Sequence, residues 1–201
     1  MRARLLYAVI AAAVLGTAPA HAADTNAALD LVRKECSACH GPRGISVAPT
    51  FPNLAGQQAV YLEAQLRAFR DHSRADPHAQ AFMWGMAAQL TDAAIRDIAA
   101  HFAAQPPARG VSADPAEVAA GKKIYEEGIP AQSVPACQSC HRPGAEGNGP
   151  FPRLAGQHRR YLEKQLEVFA VNLRANEVMH ATAQTLTALQ ISQLAAYLSS
   201  R

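Results

Sequence analysis

Apolar residues recur at three- and four-residue intervals through most of this chain, and no segment alternates strictly enough to read as a strand. Ile95, Ile98, Ala99 and Phe102 make one helical stripe, and Ile191, Leu194, Ala195 and Leu198 make a second. Thr91 and Thr187 precede them in N-cap position, and Gln190 completes a capping box with Thr187. Leu62, Leu66 and Phe69, matched by Leu162, Leu166 and Phe169, supply another pair of stripes. A further helix is expected to lead into Cys36 through Leu29 and Val32, and another into Cys137 through Val118 and Ile124. The pattern predicts an all-α protein.

The stripes come in pairs because the chain is a duplication. "FPNLAGQQAVYLEAQLRAFR" from Phe51 returns as "FPRLAGQHRRYLEKQLEVFA" from Phe151, with twelve of twenty positions identical. A repeat of this period means two tandem copies of one fold. Between the copies "QPPARGVSAD" has two prolines, a glycine and few apolar residues, and reads as a linker over 105–114. The units are then expected at 24–104 and 115–201. Domains of about 80 residues bury too little surface to be secure on a protein core alone. Something bound to each unit is expected to complete its core.

Charge changes the picture once the start of the chain is read separately. Arg2 and Arg4, an apolar run from Leu5 to Leu15 and the small-residue site Ala20-His21-Ala22 follow the order of a secretory signal peptide. The run is short for a bilayer span, so a cleaved leader over 1–22 is preferred to a retained anchor. The remainder is expected to work in the periplasm. Without the two leader arginines the formal charge of +3 becomes 17 basic against 16 acidic side chains. That near-balance argues against a nucleic-acid partner.

All four cysteines lie in two boxes, "CSACH" at Cys36 and "CQSCH" at Cys137. Cys36, Cys39 and His40 stand at i, i+3 and i+4, so on a helical turn they project to one side, as do Cys137, Cys140 and His141. Two thiols so placed reach the two vinyl groups of a haem while the imidazole reaches its iron, and this spacing is the attachment signature of c-type haem. A zinc site would need a further ligand in each copy, and neither offers a repeated Cys or His elsewhere. A redox dithiol of the thioredoxin kind belongs beside strands. The boxes therefore predict two covalently bound haem c groups, with His40 and His141 on the irons.

The repeat also selects the second axial ligands. Met83 lies seven residues before Leu90 and Met179 seven before Leu186, whereas Met86 lies only four before Leu90. Thioether sulfur favours ferrous iron and raises the haem potential. Met83 and Met179 are the expected ligands, and Met86 is expected to fill core space. His72, His78, His101, His158 and His180 have no histidine at the matching position and are expected on the surface or in packing. An iron with both axial positions filled offers no site to substrate, which points to electron transfer rather than to an enzyme.

With "FPNLAGQ", "MWGMAAQLTD", "GNGPFPRLAGQ" and "MHATAQTLT" added to the boxes, the chain resembles the class I cytochromes c, and most closely the dihaem cytochrome c4 family. The resemblance implies two tandem class I cytochrome c domains, each wrapped around one haem, with the haem edges facing one another. It implies that the carbonyls of Pro52 and Pro152 accept hydrogen bonds from Nδ1–H of His40 and His141. It further implies a carrier between a donor such as a bc1-type complex or a dehydrogenase and an acceptor such as a terminal oxidase. Loose membrane association is compatible with that role. An alternative is the electron-accepting subunit of a flavocytochrome c sulfide dehydrogenase; a dihaem peroxidase fits less well, because Met83 and Met179 would close both irons. Two departures from the family pattern stand out. Arg142 follows His141 where Gly41 follows His40, and "GPRGISVAPT" lacks the glycines of "GAEGNG", so the loops are expected to differ.

Overall fold

A computed structural model describes residues 20–201. The expected leader lies outside the described residues except for its last three positions. Among the described residues the secondary structure is helical, and its β features are two isolated bridges, Ile129 with Val134 and Asn148 with Phe151.

In the first copy α1 (Ala20–Leu31) passes through a π-helical turn (Val32–Cys36) into the short α2 (Ser37–His40). Helix α3 (Ala59–Arg70) follows, then a second π-helical turn (Ala79–Met83) that runs into α4 (Trp84–Ala87), then α5 (Asp92–Ala103). The second copy contains α6 (Pro115–Glu127), α7 (Gln138–His141), α8 (Arg159–Ala170), α9 (Glu177–Ala183) and α10 (Ala188–Ser199). Thr91 caps α5 by accepting from Ala94 N, and Thr187 and Gln190 form the full capping box at α10. Helix α6 does not lead directly into its cysteine box. Gly128 stops it, and a 3-10 turn (Pro130–Gln132) intervenes before Cys137.

The stripes do what their spacing predicts. Ala28 and Val32, Leu62, and Ile98, Ala99 and Phe102 form the core of the first copy, with Cys36, Leu54 and Leu66 packed on it. Ile124 and Tyr125, Leu162, and Leu194, Ala195 and Leu198 form that of the second, with Cys137, Leu154 and Leu166 against it. Burying a side chain the size of Ile98 or Leu194 is worth about 1.5–3 kcal/mol. Each core is thus built against its own cysteine box. Helices α6 and α10 pack tightly at Gly121, where a Cβ atom would meet Gln193 O at 2.0 Å.

Candidate haem sites and the seam between them

Helices α2 and α7 are single turns whose last residues are His40 and His141. Both imidazoles are buried, at 7% and 8% exposure. His40 Nδ1 lies 2.9 Å from Pro52 O, and His141 Nδ1 lies 3.0 Å from Pro152 O. A carbonyl only accepts, so Nδ1 carries the proton and Nε2 keeps its lone pair for a metal. Burial pushes both imidazoles below their ordinary pKa, and the proline carbonyls offset this only in part. The edges of Phe51 and Phe151 flank the two rings. Burial also raises the Cys36 thiol and pushes Cys137 up to about 11.

Met83 ends the second π-helical turn, half-buried against Phe69, Ala79 and Ala87. Met179 is half-buried on α9, its amide held by Asn176 Oδ1 at the helix start. The expectation for Met86 is corrected: it is 48% exposed and fills no core. Met83 and Leu90 pack against the cluster of Phe69, Ala79 and Ala87, which Met86 does not join. His72 stacks on Trp84, and His180 Nδ1 donates to Phe169 O. His158 reaches across the molecule, with Nε2 3.0 Å from Ser46 O.

These residues fit haem c. Each box offers two thiols and an oriented imidazole, and among the described residues no group of three His, Cys, Asp or Glu side chains could hold a metal unaided. Positive charge short of an anion lies close by. Arg153, next to Pro152, has its Nε buried without a partner, and its pKa is lowered by burial, which Glu146 only partly offsets. The carboxylates that a haem carries suit the surroundings of Arg153. Elsewhere, Arg74 and Arg174 are both 7% exposed, and of the two Arg74 alone has a carboxylate, Asp76, at 2.9 Å. The chain carries two covalently bound haem c groups, one to each Cys–x–x–Cys–His box.

The two copies meet along a polar seam with approximate two-fold symmetry. Arg74 donates to Gln65 Oε1 at 2.7 Å and Gln165 Oε1 at 3.0 Å, and Arg174 donates to the same two oxygens and to Tyr61 Oη. Each guanidinium also lies over a ring of its own copy, Phe69 or Phe169. Burial favours the neutral Tyr61 phenol, but Arg174 and Arg74 hold its pKa below the ordinary value. Nearer the haem boxes, Gln157 Oε1 accepts from Asn53 N at 2.8 Å while its Nε2 donates to Asn53 O at 2.9 Å. Gln57 does the same to Arg153, at 2.7 Å and 2.9 Å. Sequence reasoning missed these side chains. Their signal was the repetition itself, for Gln57, Gln65 and Arg74 recur as Gln157, Gln165 and Arg174 at a constant spacing, where a solvated surface has no need to repeat.

The family model for cytochrome c matches twice, over residues 27–104 and 118–201. Cytochrome c4 of Azotobacter vinelandii is 39% identical over 193 residues, covering 90% of this chain and 91% of its own. The solved cytochrome c4 of Acidithiobacillus ferrooxidans superposes with a TM-score of 0.79 at 42% identity, over 83% of this chain and 98% of that one. The thiosulfate dehydrogenase electron acceptor of Thiomonas intermedia is 34% identical over 200 residues, 96% of this chain and 90% of its own. Two helical units, each with its haem-attachment box backed by a proline carbonyl, thus coincide with whole-length likeness to two-domain relatives: the chain belongs to the cytochrome c family, in its dihaem cytochrome c4 branch.

Proposed function

We propose that this protein is an exported electron carrier whose two irons are each held by a histidine and a methionine, His40 with Met83 and His141 with Met179. Its units are taken as 24–104 and 115–201, joined through 105–114, and its place as the periplasm, reached by the leader over 1–22. Among the described residues no helix is long and apolar enough to cross a membrane. The observation that carries the reading is the doubled histidine–proline hydrogen bond, which presents Nε2 in both copies and fixes each ring.

When bound, each haem supplies a one-electron ferric–ferrous couple. The protein's part is to keep the geometry of the site the same in both oxidation states. His40 and His141 are fixed by their carbonyls, the cysteines anchor on the cores, and thioether ligands from Met83 and Met179 leave no place for water or substrate. Two units in one seam let an electron enter at one and leave at the other. The donor is read as a dehydrogenase or a bc1-type complex and the acceptor as a terminal oxidase, met through brief contacts.

A redox titration of the holoprotein, followed by the red-edge band of methionine-ligated ferric haem, tests the ligand set. Met83→Ala and Met179→Ala are each expected to remove about half of that band and to lower one potential, since a soft ligand to ferrous iron is lost. A wild-type protein with a single methionine-ligated haem would overturn it. The relative named as a thiosulfate dehydrogenase electron acceptor favours a second reading, that of an accepting partner held by one dehydrogenase. Co-purification of a dehydrogenase at fixed ratio from native cells distinguishes the two.

A further inference from the structure

Each proximal histidine rests on a peptide group that the opposite domain holds. The carbonyl of the Pro52–Asn53 peptide accepts from His40 Nδ1 at 2.9 Å. The N–H of that same peptide donates to Oε1 of Gln157, from the other copy, at 2.8 Å. The Pro152–Arg153 peptide repeats the arrangement, its carbonyl 3.0 Å from His141 Nδ1 and its N–H 2.7 Å from Gln57 Oε1. Both glutamines are buried, at 7% exposure, and each also donates through Nε2 to the next carbonyl, so neither amide can turn without losing two bonds.

We infer that Gln57 and Gln157 are positioning residues that set the reduction potential of the haem in the opposite domain. Resting on the two-haem reading above, the effect runs through one amide at a time. An amide whose N–H is engaged carries more negative charge on its oxygen, so hydrogen bonds in series strengthen one another. The proline carbonyl then draws the imidazole Nδ1–H more strongly, Nε2 becomes a better donor, and ferric iron is stabilised. Gln157 thereby lowers the potential of the His40 haem, and Gln57 that of the His141 haem. Each potential is written partly in the sequence of the other copy, which ties the two potentials to the docking of the domains. Other residues that repeat across the seam, such as Arg74 and Arg174, make no contact with either proline peptide, so this coupling belongs to the glutamines.

The test is Gln157→Met, which keeps length and apolar bulk but neither accepts nor donates at these distances, alongside Gln57→Met. Redox titration of the holoproteins followed by haem-methyl proton resonances reports each haem separately. The ferrous proteins report the two histidine Nδ1–H resonances directly. Gln157→Met is expected to raise the potential of the His40 haem enough to move the electron-partition constant about threefold, or about 28 mV at 59 mV per decade, with the His141 haem little changed. Its His40 Nδ1–H resonance should move upfield, and Gln57→Met should give the mirror result. Gln157→Glu, which keeps the acceptor oxygen, should leave the His40 potential at or below that of the wild type. Should either variant instead shift the haem of its own domain, both haems equally, or neither, the inference is overturned. Failure of the underlying reading would show differently, as a wild-type spectrum without two histidine Nδ1–H resonances. If Gln157→Met does not assemble with both haems, Gln157→Glu alone decides, since a raised His40 potential in that variant contradicts the proposed direction.

Discussion

Arg142 shows at a single residue how the two copies have diverged. It occupies φ 71°, ψ 157°, almost the conformation of Gly41, at φ 77°, ψ 156°, in the first copy. That region is open to glycine and strained for any other residue, at about 1–3 kcal/mol. The departure noted in the sequence therefore leaves the backbone unchanged and is accommodated as strain. Neighbours hold the strained turn in place: Tyr125, wholly buried, donates to Arg142 O, and Gly147 N donates to His141 O at 3.0 Å. Arg142→Gly is expected to relieve the strain and, after the extra freedom glycine has in the unfolded chain, to stabilise the second domain by about 1 kcal/mol. Urea denaturation followed by the circular dichroism of the second haem checks this. A loss of stability would mean that the arginine side chain makes a compensating contact. The reverse change, Gly41→Ala, should be damaging, because a Cβ there would meet Ile45 O at 2.1 Å.

At the scale of elements, each domain has a charged clasp: Arg67 and Arg70 of α3 pair with Asp92 of α5 in the first, and a single arginine gathers three helices in the second. Arg159 at the start of α8 makes two hydrogen bonds to Glu117 of α6, at 2.8 and 2.9 Å, one to Glu163 in its own helix, and one to Ser192 of α10. Three helices of one core are joined by this guanidinium. Its hydrogen bond to Glu117 holds that carboxyl below its ordinary pKa, with burial opposing and the charge of Arg159 adding to the effect. A depressed carboxyl contributes stability that is fully present above the unfolded pKa, about 4.3 for glutamate, and is lost as pH falls through the folded value. Glu117→Gln should therefore flatten the fall in the protein's melting temperature below about pH 5. An unaltered acid slope would assign it to other carboxylates. Much at this scale was legible beforehand. Thr187 and Gln190 announce α10, and the stripes of α3, α5, α8 and α10 select the residues found buried. The π-helical turns ending at Cys36 and Met83 were not legible, because one extra residue in a turn leaves the spacing of the stripe nearly intact. Nor was the exposure of Met86, since position in a periodic segment does not say which face of a four-residue helix is covered.

For the whole molecule, the seam decides whether there are two cytochromes on a string or one protein. The linker alone would permit either, and no local pattern reports contacts between residues about a hundred positions apart. What the sequence does contain is the repeated polar set, and its meaning depends on the partner copy being present. Arg74 and Arg174 are the sharpest case, two buried cations meeting on the same two glutamine oxygens. At the position matching Asp76 the second copy has Asn176, whose side chain caps α9, so the arginines have one seam carboxylate between them. Two cations so placed repel unless amide oxygens, aromatic faces and further negative charge surround them, and Gln65, Gln165, Phe69 and Phe169 provide the first two. Arg174→Met removes the bonds to Gln165, Gln65 and Tyr61 together, leaving the Tyr61 hydroxyl at a buried seam without its donor, at a cost of about 1–3 kcal/mol. In calorimetry the wild-type holoprotein should unfold as one unit, and Arg174→Met should separate the domains into two transitions. A variant that still melts as one unit would place the coupling in the glutamine clamps of Asn53 and Arg153. The glutamine clamps join the domains by hydrogen bonds that begin at the proximal histidines, so a change that breaks those clamps should move stability and potential together.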